Sequence, residues 1–315
     1  MKALVTGGAG FIGSNLVRRL LREGHEVLVM DDLSSGYELN VPAEAELVRG
    51  DVSVPGAALE AAHGCGVVFH LAASVGNARS IVQPVRDSEV NVLGTLNVLE
   101  AARTHGIERV VFSSSAGIFG ELKTLPIAED HPQDPDSPYG TSKLAAEKMC
   151  LVYNKLYGMS NVCLRYFNVY GERQRYDAYG NVIPIFAERM LRGQDVVIFG
   201  DGEQTRDFVN AADVASANYL SATTDGVSGV FNLGSGTRIP INELASVMSE
   251  IAGVSVNVVH AAPRPGDVRD SLAAIDAARV AFGFRPSVDL QEGLEGYFAW
   301  LRDDPVTASR WQSSQ

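Results

Sequence analysis

The chain is poor in cysteine and tryptophan, with three Cys and two Trp in 315 residues. Cys65, Cys150 and Cys163 are scattered, without metal-ligand spacing, so neither a thiolate metal centre nor a disulfide scaffold organises this chain. Their odd number and apolar surroundings point to reduced core thiols and a cytoplasmic setting; no metal is expected. Basic charge is also short: 26 Lys and Arg against 38 Asp and Glu give a net charge of −12. That balance weighs against nucleic acid or an anionic membrane as a partner. No apolar run is long enough to span a bilayer, and the first strand begins at residue 2, so no leader is expected. There is no internal repeat. What is abundant is hydrophobic content, 46%, ample for a large core and one to two domains.

Strand and helix patterns alternate as far as about residue 165, which predicts a parallel, doubly wound α/β sheet. The opening unit carries the first chemical signal. Residues 2–6 read as a short apolar strand, Gly7-Gly8-Ala9-Gly10-Phe11-Ile12-Gly13 as a turn, and Ser14 to Arg22 as a helix. Gly7, Gly10 and Gly13 have the G-x-x-G-x-x-G spacing, a variant of the dinucleotide fingerprint. Glycines there allow a tight turn, close backbone approach to a pyrophosphate, and tight packing of helix on strand. The pyrophosphate then meets free N–H groups at a helix N-terminus.

The second strand, Glu26 to Met30, ends in Asp31-Asp32. A carboxylate about 20 residues past the glycines suits a ribose 2′-hydroxyl and repels a 2′-phosphate. No Arg stands at the strand end in sequence, so the reading is NAD rather than NADP. Asp51-Val52, after the third apolar run, is placed to meet the adenine ring. Val67 to His70 forms the fourth strand and leads into Leu71-Ala72-Ala73, small enough for a cofactor to pass. His70 reads as a core histidine. Asn91 sits in a helix from Asp87 to Thr104, and Val110 to Phe112 form a fifth strand ending in Ser113-Ser114-Ser115.

The second chemical signal is Tyr139 and Lys143, four residues apart in Ser137-Pro138-Tyr139-Gly140-Thr141-Ser142-Lys143. Ser137 reads as an N-cap and Pro138 as the first helical residue. Residues i and i+4 share a helix face. A tyrosine titrates near pH 10 in water, and both a neighbouring cation and the helix N-terminus favour its phenolate.

Together these residues resemble the extended short-chain dehydrogenases/reductases, in particular the NAD-dependent nucleotide-sugar epimerases and dehydratases. The likeness runs over about residues 1–300 and is greatest to UDP-hexose 4-epimerases. It is carried by the glycine turn, Asp31, His70 to Ala73, the serine run and Tyr139/Lys143. Further on it includes Arg165-Tyr166-Phe167-Asn168-Val169-Tyr170-Gly171, Gly200 to Phe208, and Arg264-Pro265-Gly266-Asp267.

The resemblance implies a Rossmann-type NAD domain with a smaller C-terminal α/β substrate domain, and Ser115, Tyr139 and Lys143 as catalytic residues. Tyr139 and Lys143 would also hold the nicotinamide ribose. Among resembling dehydratases and decarboxylases, acidic residues follow the catalytic serine or threonine. Here Ala116-Gly117-Ile118-Phe119 follows, which favours epimerisation. Gly117 also departs from the common epimerase pattern and enlarges the pocket expected beside the sugar C6.

By the same likeness Asn168, Arg206, Arg264, Asp267 and Ser271 contact the nucleotide sugar, the two arginines on its diphosphate. A small residue at 271 leaves room for a 2-acetamido group. UDP-glucose/UDP-galactose is therefore the first expectation and UDP-GlcNAc/UDP-GalNAc the second. A UDP-uronate 4-epimerase or a dehydratase follows. The expected NAD-binding domain comprises 1–167 plus about 207–235, and the sugar-binding domain about 168–206 plus 236–302, with 303–315 a polar, poorly ordered tail. Second apolar stripes on helices 87–104 and 139–157 suggest a homodimer.

Overall fold

The computed structural model describes residues 1–177, 180–263 and 268–312. From the N-terminus run β1 (Lys2–Thr6), α1 (Phe11–Arg22), β2 (Glu26–Asp31), β3 (Glu46–Arg49), α2 (Ala57–Ala62), β4 (Val67–His70), α3 (Asn77–Val82) and α4 (Pro84–Ser88). A π-helical turn, Glu89–Leu93, joins α4 to α5 (Gly94–Thr104). Then come β5 (Val110–Ser115), α6 (Pro138–Tyr157), β6 (Val162–Tyr166), β7 (Asn168–Tyr170), α7 (Val182–Leu191), β8 (Val196–Phe199), β9 (Thr205–Arg206), β10 (Phe208–Asn210) and α8 (Ala211–Thr223). The chain closes with β11 (Gly229–Leu233), β12 (Ile239–Pro240), α9 (Ile241–Ala252), β13 (Val258–Ala261), α10 (Asp276–Phe282), α11 (Leu290–Asp303) and α12 (Pro305–Gln312).

Seven strands form one sheet in the order β11-β6-β5-β4-β1-β2-β3, every pairing parallel. Strand order reverses between β1 and β4, the crevice where open α/β sheets bind ligands. The strands are apolar on both faces because both are covered. Ala3 and Val5 face one core with α1 and α8, while Leu4 faces the other with α2, α5 and α6. A third core joins α7, β8, α9 and α11 around Phe186, Leu244 and Phe298. Residues 276–284, grouped by sequence with the sugar-binding part, instead put Ala278, Phe282 and Phe284 into the core of the main sheet.

Three local features differ from the sequence pattern. The helix expected from Asp87 begins at Pro84 and is interrupted by the π turn, beyond which Gly94 lies so close to β3's exit that an added Cβ would be 2.7 Å from Val52 Cγ2. Phe208 and Val209, expected within the NAD-binding domain, pair in parallel with β7 in a separate two-stranded sheet, not in the seven-stranded one. The expected tail folds as α12, docked by buried charge. Arg175 Nε donates to Asp304 Oδ2 (2.9 Å), Asp304 also accepts from the Thr307 amide (2.9 Å), and Trp311 Nε1 donates to Glu188 (2.7 Å). Polar residues that pair inside the protein look, in sequence, like residues that face water.

Candidate active site

The glycine turn is shaped by contacts that exclude side chains. Gly7 has φ +71°, and a Cβ on it would sit 2.6 Å from the Ala72 nitrogen; on Gly13 it would sit 2.1 Å from the Gly7 carbonyl oxygen. Gly10 caps α1 without a side-chain hydrogen bond, and no acidic residue stands in the first turn. The first-turn N–H groups, among them those of Phe11 and Ile12, therefore meet no side-chain cap, as an anion site requires.

Asp31 lies at the end of β2, buried, and accepts from the Ala9 and Leu33 amides, both at 2.9 Å. Burial raises its carboxyl pKa, and the two amides oppose that rise. A carboxylate has about four acceptor positions, so two remain for ribose hydroxyls. Leu71 and Ala72 leave β4 beside Gly7, their amides bonded to the Thr6 carbonyl (3.0 Å) and hydroxyl (3.3 Å), and Ala73 follows them. Val52 is buried against Gly94.

An arginine missed in sequence stands at the strand end in space. Arg86, on α4, reaches Asp51 at 2.7 Å and Asp32 at 3.7 Å, with Glu89 also at 3.7 Å. Three carboxylates surround this one guanidinium, so the cluster still disfavours a 2′-phosphate. Nothing local in sequence joins residue 86 to residues 32 and 51; the crossover does.

Ser115 ends β5. Its Oγ accepts from the Gly117 amide (3.1 Å), and its side chain lies near enough to the Tyr139 phenol to favour the phenolate. Tyr139 sits in the first turn of α6, where the Ser137 Oγ accepts from the Gly140 amide and the buried Ser80 Oγ accepts from the Tyr139 amide, both at 3.1 Å. Ser80 was not singled out in sequence; its α3 supplies a second cap to α6. A Cβ on Gly117 would lie 3.3 Å from Ser115 Oγ and 3.7 Å from the Tyr139 ring, so any larger residue there would crowd the two hydroxyl-bearing side chains.

Lys143 is 2% exposed, its ammonium 4.6 Å from the Phe112 ring centroid. Among the described residues no hydrogen bond ends on that ammonium. Burial pushes it down to about 8, the charge of Asp87 opposing. Burial also pushes the Tyr139 phenol up; the neighbouring Ser115 side chain pulls it down, and Asp87's charge adds to the rise. His70 is the core residue expected: its ring bonds Thr6 (2.7 Å) and Thr95 (3.0 Å), and burial pushes it down to about 3.

Two buried networks hold these groups. Asn91, expected at the cofactor, has its amide nitrogen committed to Ser74 O (3.0 Å), Asp87 Oδ1 (3.1 Å) and Ser142 Oγ (3.0 Å), and it accepts from the Ser74 amide (2.9 Å). It braces the segment after β4 against α6. Glu147, one turn beyond Lys143, accepts from Ser114 Oγ (2.7 Å) and from Arg165 Nε and Nη2 (3.0 and 2.7 Å). This buried pair fixes β5, and so Ser115, against the helix that carries Tyr139.

On the sugar side, Asn168 Nδ2 donates to the Asp207 carbonyl (3.1 Å). Arg206 Nη1 donates to the Thr205 carbonyl (2.9 Å), and the Ser271 amide donates to that same carbonyl (3.1 Å), so Arg206 and Ser271 share one edge. Ile118, Phe119, Phe167 and Ala273 pack in one small cluster, which draws the segments bearing Gly117, Asn168 and Ser271 together. Arg264 and Asp267 lie outside the described residues. Among the described residues no group of three His, Cys, Asp or Glu is arranged to hold a metal, and no helix is long and apolar enough to cross a membrane.

Residues 3–234 match the model of the NAD dependent epimerase/dehydratase family. The chain belongs to that family. A UDP-glucose 4-epimerase of Mycolicibacterium smegmatis is 39% identical over 310 residues, covering 96% of this chain and 99% of the relative. The crystal structure of the Thermotoga maritima UDP-glucose 4-epimerase with UDP-glucose superposes with a TM-score of 0.92 at 39% identity, covering 96% and 99% of the two chains. A UDP-N-acetylglucosamine 4-epimerase from Methanobrevibacter ruminantium, in complex with UDP-N-acetylmuramic acid, has the same TM-score at 34% identity, covering 96% and 98%. In this family member, then, the glycine turn, Asp31 and Ser115 stand at the ends of β1, β2 and β5 of the one parallel sheet, and Tyr139 and Lys143 lie on α6, which packs against β5.

Proposed function

We propose that the chain is an NAD-dependent 4-epimerase of UDP-hexoses, interconverting UDP-glucose and UDP-galactose through a transient 4-keto sugar. The observation that carries this reading is the Tyr139 phenol set beside the Ser115 side chain, with the buried Lys143 one turn along α6, in a chain with a complete glycine turn. NAD fits the residues present: uncapped N–H groups for the pyrophosphate, spare acceptor capacity on Asp31 for the ribose, and a Lys143 ammonium with no hydrogen bond among the described residues. Gly7, Gly10, Phe11, Ile12, Gly13, Asp31, Asp32, Asp51, Val52, Leu71, Ala72, Ala73, Tyr139 and Lys143 form its proposed surroundings, with Asn91 bracing them. Bound NAD would accept a hydride from the sugar C4 and give it back.

The chain's own residues do the rest. Tyr139 takes the proton of the 4-hydroxyl as the hydride leaves, and returns it afterwards. Ser115 hydrogen-bonds the reacting oxygen. Lys143 supplies the positive charge that makes the buried phenol usable as a base, at the cost of its own burial. Rotation of the keto sugar within the pocket would present its other face to the cofactor, and inversion at C4 would follow. Asn168, Arg206, Arg264, Asp267 and Ser271 are proposed to hold the nucleotide sugar. The segment after Ser115 turns through Gly117, not through a carboxylate, so elimination of water has no acid in that turn.

A second sugar class is supported by a specific feature. Ser271 is small and buried beside the backbone of Thr205, which leaves room for a 2-acetamido group; UDP-GlcNAc/UDP-GalNAc is therefore the alternative pair. We also infer a homodimer through the helices on one flank, since Leu93, Val152, Leu156 and Tyr157 are 52%, 41%, 67% and 51% exposed. Incubation with UDP-glucose, UDP-GlcNAc and UDP-glucuronate separately, with products identified by NMR, tests the reading. Inversion at C4 without accumulation of NADH supports it; a 4-keto-6-deoxy product rejects it.

A further inference from the structure

Two consecutive residues of α4 send opposite charges to opposite ends of the crevice. Arg86 reaches Asp51 and Asp32 at the ends of β3 and β2. Asp87 turns inward and is fully buried, 0% exposed. Its Oδ2 accepts from Ser142 Oγ at 2.6 Å and its Oδ1 from Asn91 Nδ2 at 3.1 Å. Ser142 is the residue before Lys143, so the carboxylate is fastened to the stretch of α6 that carries the lysine.

A buried carboxylate held by a hydroxyl and an amide lacks a cation unless one is close. A buried ammonium without a hydrogen bond needs an anion for the same reason. The groups facing Lys143 leave few choices. His70, from β4, is neutral, bonded to Thr6 and Thr95. Cys150, on its own helix, and Cys163, from β6, are buried thiols, and Phe112, from β5, offers only its ring face. Tyr139 stands one turn before it. Glu147, one turn after it, is already paired with Arg165. Asp87 is the carboxylate without a guanidinium, and its charge acts on both Lys143 and Tyr139.

We propose that Asp87 is the fixed countercharge of Lys143, a positioning carboxylate that keeps the lysine an ammonium despite its burial and acts on Tyr139 through it. The inference rests on the role given to Lys143 under the proposed function. The direct effect of Asp87 on the phenol has the opposite sign: its negative charge raises the Tyr139 pKa. The two routes therefore separate in a pH profile. A carboxylate that worked on the phenol alone would, once removed, move the acidic limb to lower pH. One that works through Lys143 moves the alkaline limb to lower pH, because the lysine then loses its proton sooner.

The test uses Asp87→Asn, which keeps an amide or carbonyl for Ser142 and Asn91 but removes the charge. In NAD-free protein with labelled lysine side chains, the Lys143 signal is titrated by NMR. The wild-type midpoint is expected near 8, and the variant's should fall by about one pH unit, the effect of losing an opposite charge that lies nearby without forming an ion pair. Asp87→Glu restores most of that fall. An unmoved midpoint in Asp87→Asn overturns the proposal. If that variant does not fold, Ser142→Ala, which frees Asp87 Oδ2, takes its place: a smaller fall supports the proposal and none rejects it.

Turnover of UDP-glucose against pH is the second readout. The alkaline limb moves with the lysine midpoint, while KM and bound NAD stay as in the wild type. A moved midpoint with an unmoved alkaline limb leaves the countercharge standing and removes Lys143's charge from the mechanism.

Discussion

Lys143→Met should make the NAD-free protein more stable while it removes activity. The lysine's pKa falls from 10.5 to about 8 on folding, its ammonium taken from water into a site where no hydrogen bond ends on it. At about 1.4 kcal/mol for each pH unit, this burden is about 3 kcal/mol below pH 8. The ammonium's contact with the Phe112 ring returns about 1–2 kcal/mol, and Asp87 loses its countercharge when the lysine goes. The expected net gain is about 1–2 kcal/mol, larger in the double variant with Asp87→Asn.

The sign with pH follows from proton counts. Below pH 8 the lysine is protonated folded and unfolded, so the penalty is fully present. Between about 8 and 10.5 the unfolded chain binds the extra proton, so wild-type stability rises with pH and the gap to Lys143→Met narrows. Urea unfolding of both proteins between pH 6 and 10, by circular dichroism, measures it. A variant less stable than wild type at pH 7, or a gap that widens towards pH 10, would refute the claim that function here is held against stability.

Other outcomes follow from single contacts. Tyr139→Phe should lose at least about a hundredfold in turnover, since acid–base transfer supplies about 10²–10⁴, with NAD content unchanged by absorbance. Gly13→Ala should bring in little or no NAD, because its Cβ would stand 2.1 Å from the Gly7 carbonyl oxygen; normal NAD content in the purified variant would contradict this. Asp304→Ala breaks a buried pair with Arg175 and should cost about 3 kcal/mol in urea unfolding. Burial raises the Asp304 carboxyl, but Arg175 and Thr307 outweigh it and hold the group below the usual range, so its stabilisation is full above about pH 4 and drains as pH falls further. Ser271→Tyr should harm turnover of UDP-GlcNAc more than of UDP-glucose; equal losses would reject the pocket argument.

The legible parts of this molecule are those whose chemistry is local in sequence. The turn at Gly7 to Gly13 needs its glycines because of contacts within a few residues and one neighbouring strand. Ser137, Pro138, Tyr139 and Lys143 fall on one helical start, so their spacing carries their meaning. Arg86, Asp87, Ser80 and the Glu147–Arg165 pair were not legible as site residues. The deciding partner of each comes from another part of the chain: Asp51 for Arg86, Ser142 for Asp87, the Tyr139 amide for Ser80, and Arg165 for Glu147. Asn91 was noticed for its place in a helix, but only the π turn and the segment after β4 explain where its amide goes. The polar end of the chain misled for a related reason: Asp304 and Arg310 meet Arg175 and Glu188 from more than a hundred residues away.

Deuterium at the sugar C4 addresses the central claim most directly. With UDP-[4-²H]glucose in ordinary water, the account requires UDP-galactose that keeps its deuterium at C4, since the hydride leaves and returns without meeting solvent. UDP-galactose carrying protium at C4, or conversion without inversion at that carbon, would contradict it.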